Sequence, residues 1–176
     1  MDESFDLTLD GLPEPQLGED LALRLEGVDA LREHSVRLIG QSRRQLSIQT
    51  PDLEGALYDH AEIEAAIKRL LLGHPRHQVR ILVNDSAVAV RQGHRLVALA
   101  QRLTSNLLIR RPPMDQQPEG ACLIVDDLAL LRRTNTAVPQ GFVRYGDRAA
   151  VKVQQQVFDR LWAISQPDLE LRRMVL

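Results

Sequence analysis

The sequence predicts a mixed α/β domain: a largely parallel sheet with helices on both faces and a β-hairpin late in the chain. Three observations lead there. Short alternating or β-branched runs recur between stretches of helical spacing, and strands joined through helices pair in parallel by right-handed crossovers. At 121–131 that rhythm breaks. The apolar runs Ala121–Val125 and Leu128–Leu131 meet at Asp126 and Asp127, short polar residues that tolerate the tight angles of a turn. Finally, 176 residues suit one domain whose core needs neither disulfide nor metal.

In chain order, residues 1–20 hold seven acids (Asp2, Glu3, Asp6, Asp10, Glu14, Glu19, Asp20), no base, two prolines and two glycines. They read as an acidic flexible arm, in which Phe5–Leu9 alternates like a short edge strand. A single domain follows over 21–176. Leu21–Leu25 alternates as a strand, and Asp29 is placed to cap a helix over 30–43 that buries Leu31, Val36, Leu38 and Ile39. Leu46–Gln49 is the next strand, ended by Thr50-Pro51-Asp52. Asp59 and Glu62 form a capping-box pattern, and Ile63, Ala66, Ile67, Leu70 and Leu71 then share one helical face. Gly73 and Pro75 stop that helix.

Val79–Val83, rich in β-branched residues, reads as a central strand. Residues 94–104 turn Leu96, Leu99, Ala100 and Leu103 to one helical face, and Asn106–Ile109 is a strand ended by Pro112-Pro113. After the hairpin, Thr134–Gly146 reads as a loop. A long helix over 146–164 then buries Ala150, Val153, Val157, Leu161 and Ile164, with Phe158 and Trp162 on its flanks. Pro167 suits the first position of a last helical turn.

Composition narrows the function classes. Apolar content of 44 % and charged content of 26 % are those of an ordinary globular protein. One cysteine, Cys122, cannot form an internal disulfide, and its apolar neighbours mark it as a small buried hydrophobe. No basic and apolar leader opens the chain, and no apolar run nears the roughly 20 residues that cross a bilayer, so a cytoplasmic protein without membrane contact is expected. The net charge of −2 hides an asymmetry: beyond residue 20 there are 17 acids against 22 bases, 20 of them Arg. Arginine suits bidentate phosphate and carboxylate recognition. Without a basic block, and with 3 % aromatics, nucleic-acid binding is the last of the functional alternatives.

Ligands of open α/β sheets bind beyond the carboxyl ends of the strands. Those ends read as Thr50-Pro51-Asp52, Asn84-Asp85-Ser86, Arg110-Arg111 and Asp126-Asp127, converging near Asp126. Asp126, Asp127 and Asp52 are therefore the candidates for acid–base work, and Arg132, Arg133, Thr134 and Asn135 for ligand binding. The alternative is that these acids are turn and cap residues. His74 and His77, three apart in a helix-ending loop without cysteines, suggest a solvated turn, and neither metal nor cofactor is expected.

This succession resembles the phospholipase D-like fold, specifically one half of the kind that carries a single catalytic motif. That motif reads His, any residue, Lys, four residues, Asp, followed by Gly-Ser-x-Asn. Leu123-Ile-Val-Asp126 matches its strand end, which puts the Asp on Asp126, the Lys on Ala121 and the His on Glu119. The Gly-Ser-x-Asn segment falls on Arg133-Thr134-Asn135-Thr136, with only the Thr134 hydroxyl in keeping. The resemblance runs from about residue 30 to 164 and implies a phosphodiesterase scaffold. In that family a His attacks phosphorus, a second His protonates the leaving oxygen and Lys neutralises the phosphate. Glu119 would repel an anionic diester and Ala121 supplies no charge, so hydrolysis by the family mechanism is not expected.

What the resemblance implies instead is a non-catalytic module that binds a protein partner or a phosphate-bearing ligand. Single-motif members pair two protomers, which implies a homodimer through the strand-end face. The chain also looks like bacterial proteins with a degenerate fold of this kind, some linked to acetyltransferase-like domains, a possible partner class. It holds no pyrophosphate-cradling acetyltransferase motif of its own. An enzyme built on the acids and an Arg such as Arg132 is the alternative from a different class.

Overall fold

A computed structural model describes residues 13–172. An eight-stranded sheet carries helices on both faces. In chain order the elements are β1 (Ala22–Glu26), α1 (Val28–Gly40), β2 (Gln45–Thr50), α2 (Gly55–Tyr58), α3 (Ala61–Gly73), β3 (Gln78–Val83), α4 (Ala87–Arg91) and α5 (Arg95–Arg102). There follow β4 (Leu107–Arg111), β5 (Ala121–Val125), β6 (Ala129–Arg133), β7 (Gln140–Arg144), α6 (Arg148–Ile164), β8 (Gln166–Pro167) and α7 (Leu169–Arg172). The strand order is β1-β7-β6-β5-β2-β3-β4-β8.

The mixed sheet, the two helical faces and the hairpin agree with the sequence reading, but the parallel majority does not. Among the described residues only β2/β3 and β3/β4 are parallel; the other five pairings are antiparallel. One cause is β7, which the sequence hides as a loop. It pairs with both β6 and β1, so β1 lies at the far edge and runs antiparallel instead of joining the parallel group.

Strand alternation sorts the side chains into two cores. Leu46, Ile48, Val79, Ile81, Leu123, Val125, Leu131 and Val143 face α1 to α5. Leu82, Cys122, Ile124 and Leu130 face α6, which meets them with Val151, Phe158 and Trp162. This corrects the expected inward face of the long helix: Val153, Val157 and Ile164 are exposed at 65 %, 50 % and 44 %. The aromatic stripe prevails because it buries more area per residue, and because the outward arginines of β3 and β4 stack on it. Arg80 lies 5.2 Å from the Phe158 ring centre, and Arg110 lies 4.4 Å from that of Trp162.

Several helix ends also differ from expectation. Gly27, with φ of 93°, precedes α1, while Asp29 sits in its first turn and pairs with Arg32 at 2.7 Å. His60, not Asp59, is the cap position of α3 and makes no side-chain cap bond. Asp59 instead accepts from the Arg95 amide at 3.1 Å, tying the two helix starts together. Pro167 pairs in β8 with Arg110 rather than opening a helix. Ahead of β1, the Gly18 amide donates to the Tyr145 carbonyl at 2.7 Å, and Gln41 bonds both Pro15 and Leu17. The possible strand Phe5–Leu9 lies outside the described residues.

Candidate functional site

The antiparallel pairing of β5 with β2 decides which residues meet. Leu46 lies opposite Val125 and Gln49 opposite Cys122. Asp126 therefore sits beside the start of β2, while Glu119, Gly120 and Ala121 sit at the carboxyl ends of β2 to β4. Asp52 is at that second end, a strand length of roughly 17 Å away. The three acids do not form one constellation, and the strand ends do not converge on Asp126.

Asp126 is bound into the fold. It is 3 % exposed, with φ of 52°. Its two carboxylate oxygens accept from the amides of Arg43 (3.0 Å), Arg44 (2.8 Å) and Gln45 (3.0 Å), and its own amide donates to the Gln45 carbonyl. The side chain fastens the α1–β2 connection to the hairpin. Asp127 points outward to Arg44 and Arg148, and with Asp126, Gln45 and Asp159 lines a shallow hollow of about 340 Å³.

The end of the sheet where the motif falls is filled. Glu119 is exposed, whereas Ala121 is buried in β5 directly opposite Arg133. The Arg133 side chain turns inward, 5 % exposed, and forms an ion pair with Glu54. Its other terminal nitrogen donates to the Thr136 carbonyl at 3.1 Å, and Thr50 donates its hydroxyl to Glu54 at 3.2 Å. Such a pair holds only with this bonding around it, since breaking a buried pair costs about 3–5 kcal/mol.

Gly141 makes room for the Arg133 side chain, and Gly120 for the backbone of the paired strand. A Cβ on Gly141 would meet its Cγ at 2.9 Å, and a Cβ on Gly120 would meet its carbonyl oxygen at 2.6 Å. Beneath the pair, burial and the Glu54 charge hold the Tyr58 hydroxyl in its neutral form by raising its pKa.

The loop that carries Glu54 is strained. Leu53 and Glu54 have φ of 68° and 28°, a region unfavourable for non-glycine residues. Among the contacts that hold it there, Asp52 accepts from the Glu54 amide (3.0 Å), Leu53 accepts from the His94 ring (3.0 Å), and Glu54 pairs with Arg133. Asp52 is thus a turn residue at the strand end. Asn84 and Gln49 close the same end by donating to the Pro118 and Gly120 carbonyls.

Of the ligand-binding candidates, Arg132, Thr134 and Asn135 come together and Arg133 does not. The three line a groove of about 740 Å³ between α6 and the outward face of β6, β7 and β1, with Arg24, Phe142 and Arg144. Arg24 and Arg144 were missed by sequence reasoning. The available signal was the alternation of Gln140–Arg144, masked by its glycine and its proline neighbour.

The eight-stranded arrangement, with a parallel β2–β4 block and the β5–β6 hairpin beside it, defines a phospholipase D-like fold. Nuc from Salmonella typhimurium, a phospholipase D family member, superposes with a TM-score of 0.61 at 12 % identity, over 85 % of this chain and 99 % of its own. NucT from Helicobacter pylori does so at 0.56 and 10 %, over 84 % and 99 %. The archaeal chromatin protein TrmBL2, whose structure shows a novel mode of DNA binding, gives 0.66 and 14 %. That match covers 85 % of this chain, which spans about half of TrmBL2 (54 %). Within this class the chain belongs to the family described as Domain of unknown function (DUF7931), whose match runs over residues 27–174. No curated protein matches it by sequence.

Proposed function

We propose that this chain is a phospholipase D-like module that has lost the hydrolytic chemistry and works by holding a phosphate-bearing ligand. The observation that carries the reading is the strand end itself. The positions laid on the motif His and Lys are Glu119 and Ala121, and the interior beside them is taken by the Arg133–Glu54 pair. A carboxylate there repels an anionic diester, and the buried guanidinium is already neutralised. Neither the groove nor the hollow beside Asp126 is lined by Glu54, Glu119, Ala121 or Arg133.

The test is a panel of phosphodiester and phosphomonoester substrates, with and without Mg²⁺ or Mn²⁺. No turnover is expected. Sustained diester cleavage lost in Glu119→Gln would overturn the reading. Pairing of two protomers across the strand-end face belongs to the same proposal. Light scattering that gives only a monomer at high concentration removes it.

A further inference from the structure

The groove has a build that the strand end lacks. Arg132, Phe142 and Arg24 are direct cross-strand partners on one outward rung of β6, β7 and β1, and Leu130 and Arg144 form the next rung. With strands about 4.8 Å apart, the Phe142 ring stands between two arginine stems, and the third arginine is one same-face position along. The lining holds three arginines and no carboxylate. Arg24 and Arg144 are braced by Glu26 (3.3 Å) and Asp147 (2.8 Å). The Arg132 guanidinium has no ion pair or side-chain hydrogen bond among the described residues, and it lines the groove.

Apolar surface is offered beside that charge. Phe142 is 60 % exposed on the sheet, and Val153, 65 % exposed, lines the opposite wall. Helix α6 packs over β2, β5 and β6, which leaves this aromatic uncovered. A volume near 740 Å³ falls in the usual range for small-molecule sites.

We infer that this groove binds a phosphomonoester carried on a flat or apolar body of about mononucleotide size. A dianionic phosphate takes two guanidiniums by paired, charge-assisted hydrogen bonds, whereas a diester monoanion leaves one more cation uncompensated. The body lies on Phe142 against Val153, and Thr134 and Asn135 offer hydrogen bonds at one end. The lining has no His, Cys, Asp, Glu or Lys, so the site holds its ligand without transforming it.

This inference rests on the ligand-holding reading above, yet the two fail separately. Diester turnover would sink that reading and leave the groove standing.

The experiment is calorimetric titration of the full chain at low salt with AMP, adenosine, inorganic phosphate and an oligothymidylate lacking terminal phosphates. AMP is expected to bind more tightly than adenosine or phosphate. Arg132→Gln should weaken AMP about ten-fold, the loss of one charge-assisted contact. Phe142→Ala should bring AMP down to the level of phosphate, and Arg91→Gln on the distant α4 should change nothing. AMP binding no better than phosphate, or unmoved by both groove substitutions, overturns the proposal. So does binding of the oligonucleotide alone, which would make the groove a track for a strand. A dimer by light scattering that Phe142→Ala dissolves, with no AMP binding, would assign the face to a second copy and equally refute it.

Discussion

Asp126 takes three backbone amides, and its left-handed φ of 52° is one that Asn and Asp tolerate better than most residues. Asp126→Ala leaves those buried donors without an acceptor and should cost about 2–4 kcal/mol in urea unfolding. Asp126→Asn keeps one acceptor oxygen and the backbone preference, so it should cost less. Asp127→Ala, outward and exposed, should stay within about 0.5 kcal/mol. The turn role of this pair was legible in the sequence; its partners, more than 80 residues upstream, were not.

His94 gives a pH dependence. Its Nδ1 accepts from the Leu96 amide while Nε2 donates to the Leu53 carbonyl, so the neutral ring is the one that fits. Burial, with the neighbouring Arg95 charge in support and Asp59 opposing, holds its pKa below the ordinary value. A lowered folded pKa means that the unfolded chain binds the proton more readily. The stabilisation is therefore complete above about pH 6.5 and is lost as pH falls below it. Thermal melts between neutral and mildly acid pH should show this loss, and His94→Asn should flatten it. The slope should not vanish, because burial and Arg37 lower the His34 pKa as well.

Among the elements, the parallel block was readable because its strands either alternate, as Leu46-Ser47-Ile48-Gln49 does, or carry short apolar runs, Ile81–Val83 and Leu107–Ile109, between helical stretches. Strand β7 was not. Its Gly141 exists to let the Arg133 side chain pass, a tertiary demand with no local signature, and in a strand glycine reads as a break. Helix α6 shows the opposite failure. Two apolar stripes, Val153/Val157/Ile164 and Val151/Phe158/Trp162, both have helical spacing, and periodicity alone cannot rank them. The arginines of β3 and β4 that favour the aromatic stripe lie about fifty to eighty positions away in sequence. Phe158→Ala should cost about 3–5 kcal/mol by opening the second core, while Val153→Ala should cost no more than about 0.5 kcal/mol. Comparable losses from the two in denaturant unfolding would mean that the faces are assigned wrongly.

For the molecule as a whole, the reversal of β5 separates what the sequence appeared to unite. It leaves Asp126 at one end of the sheet as a fastener and puts Glu119 and Ala121 at the other, beside Arg133. This strand end differs from the phospholipase D-like motif laid on it in more than two residues. Glu54 sits on a strained loop, Gly141 leaves room for the Arg133 side chain, and His94 pins Leu53 from below. Restoring the motif by Glu119→His with Ala121→Lys would set a second cation directly across from a buried arginine that already has its counter-ion. An unpaired buried charge of this kind costs several kcal/mol. The double variant should therefore melt well below the parent and still cleave no diester. Glu54→Leu with Arg133→Met, which removes both charges together, should be tolerated far better than Arg133→Ala alone. Diester turnover in the motif-restored chain, with its stability intact, would show that the strand end is an open site and that the ion pair does not fill it.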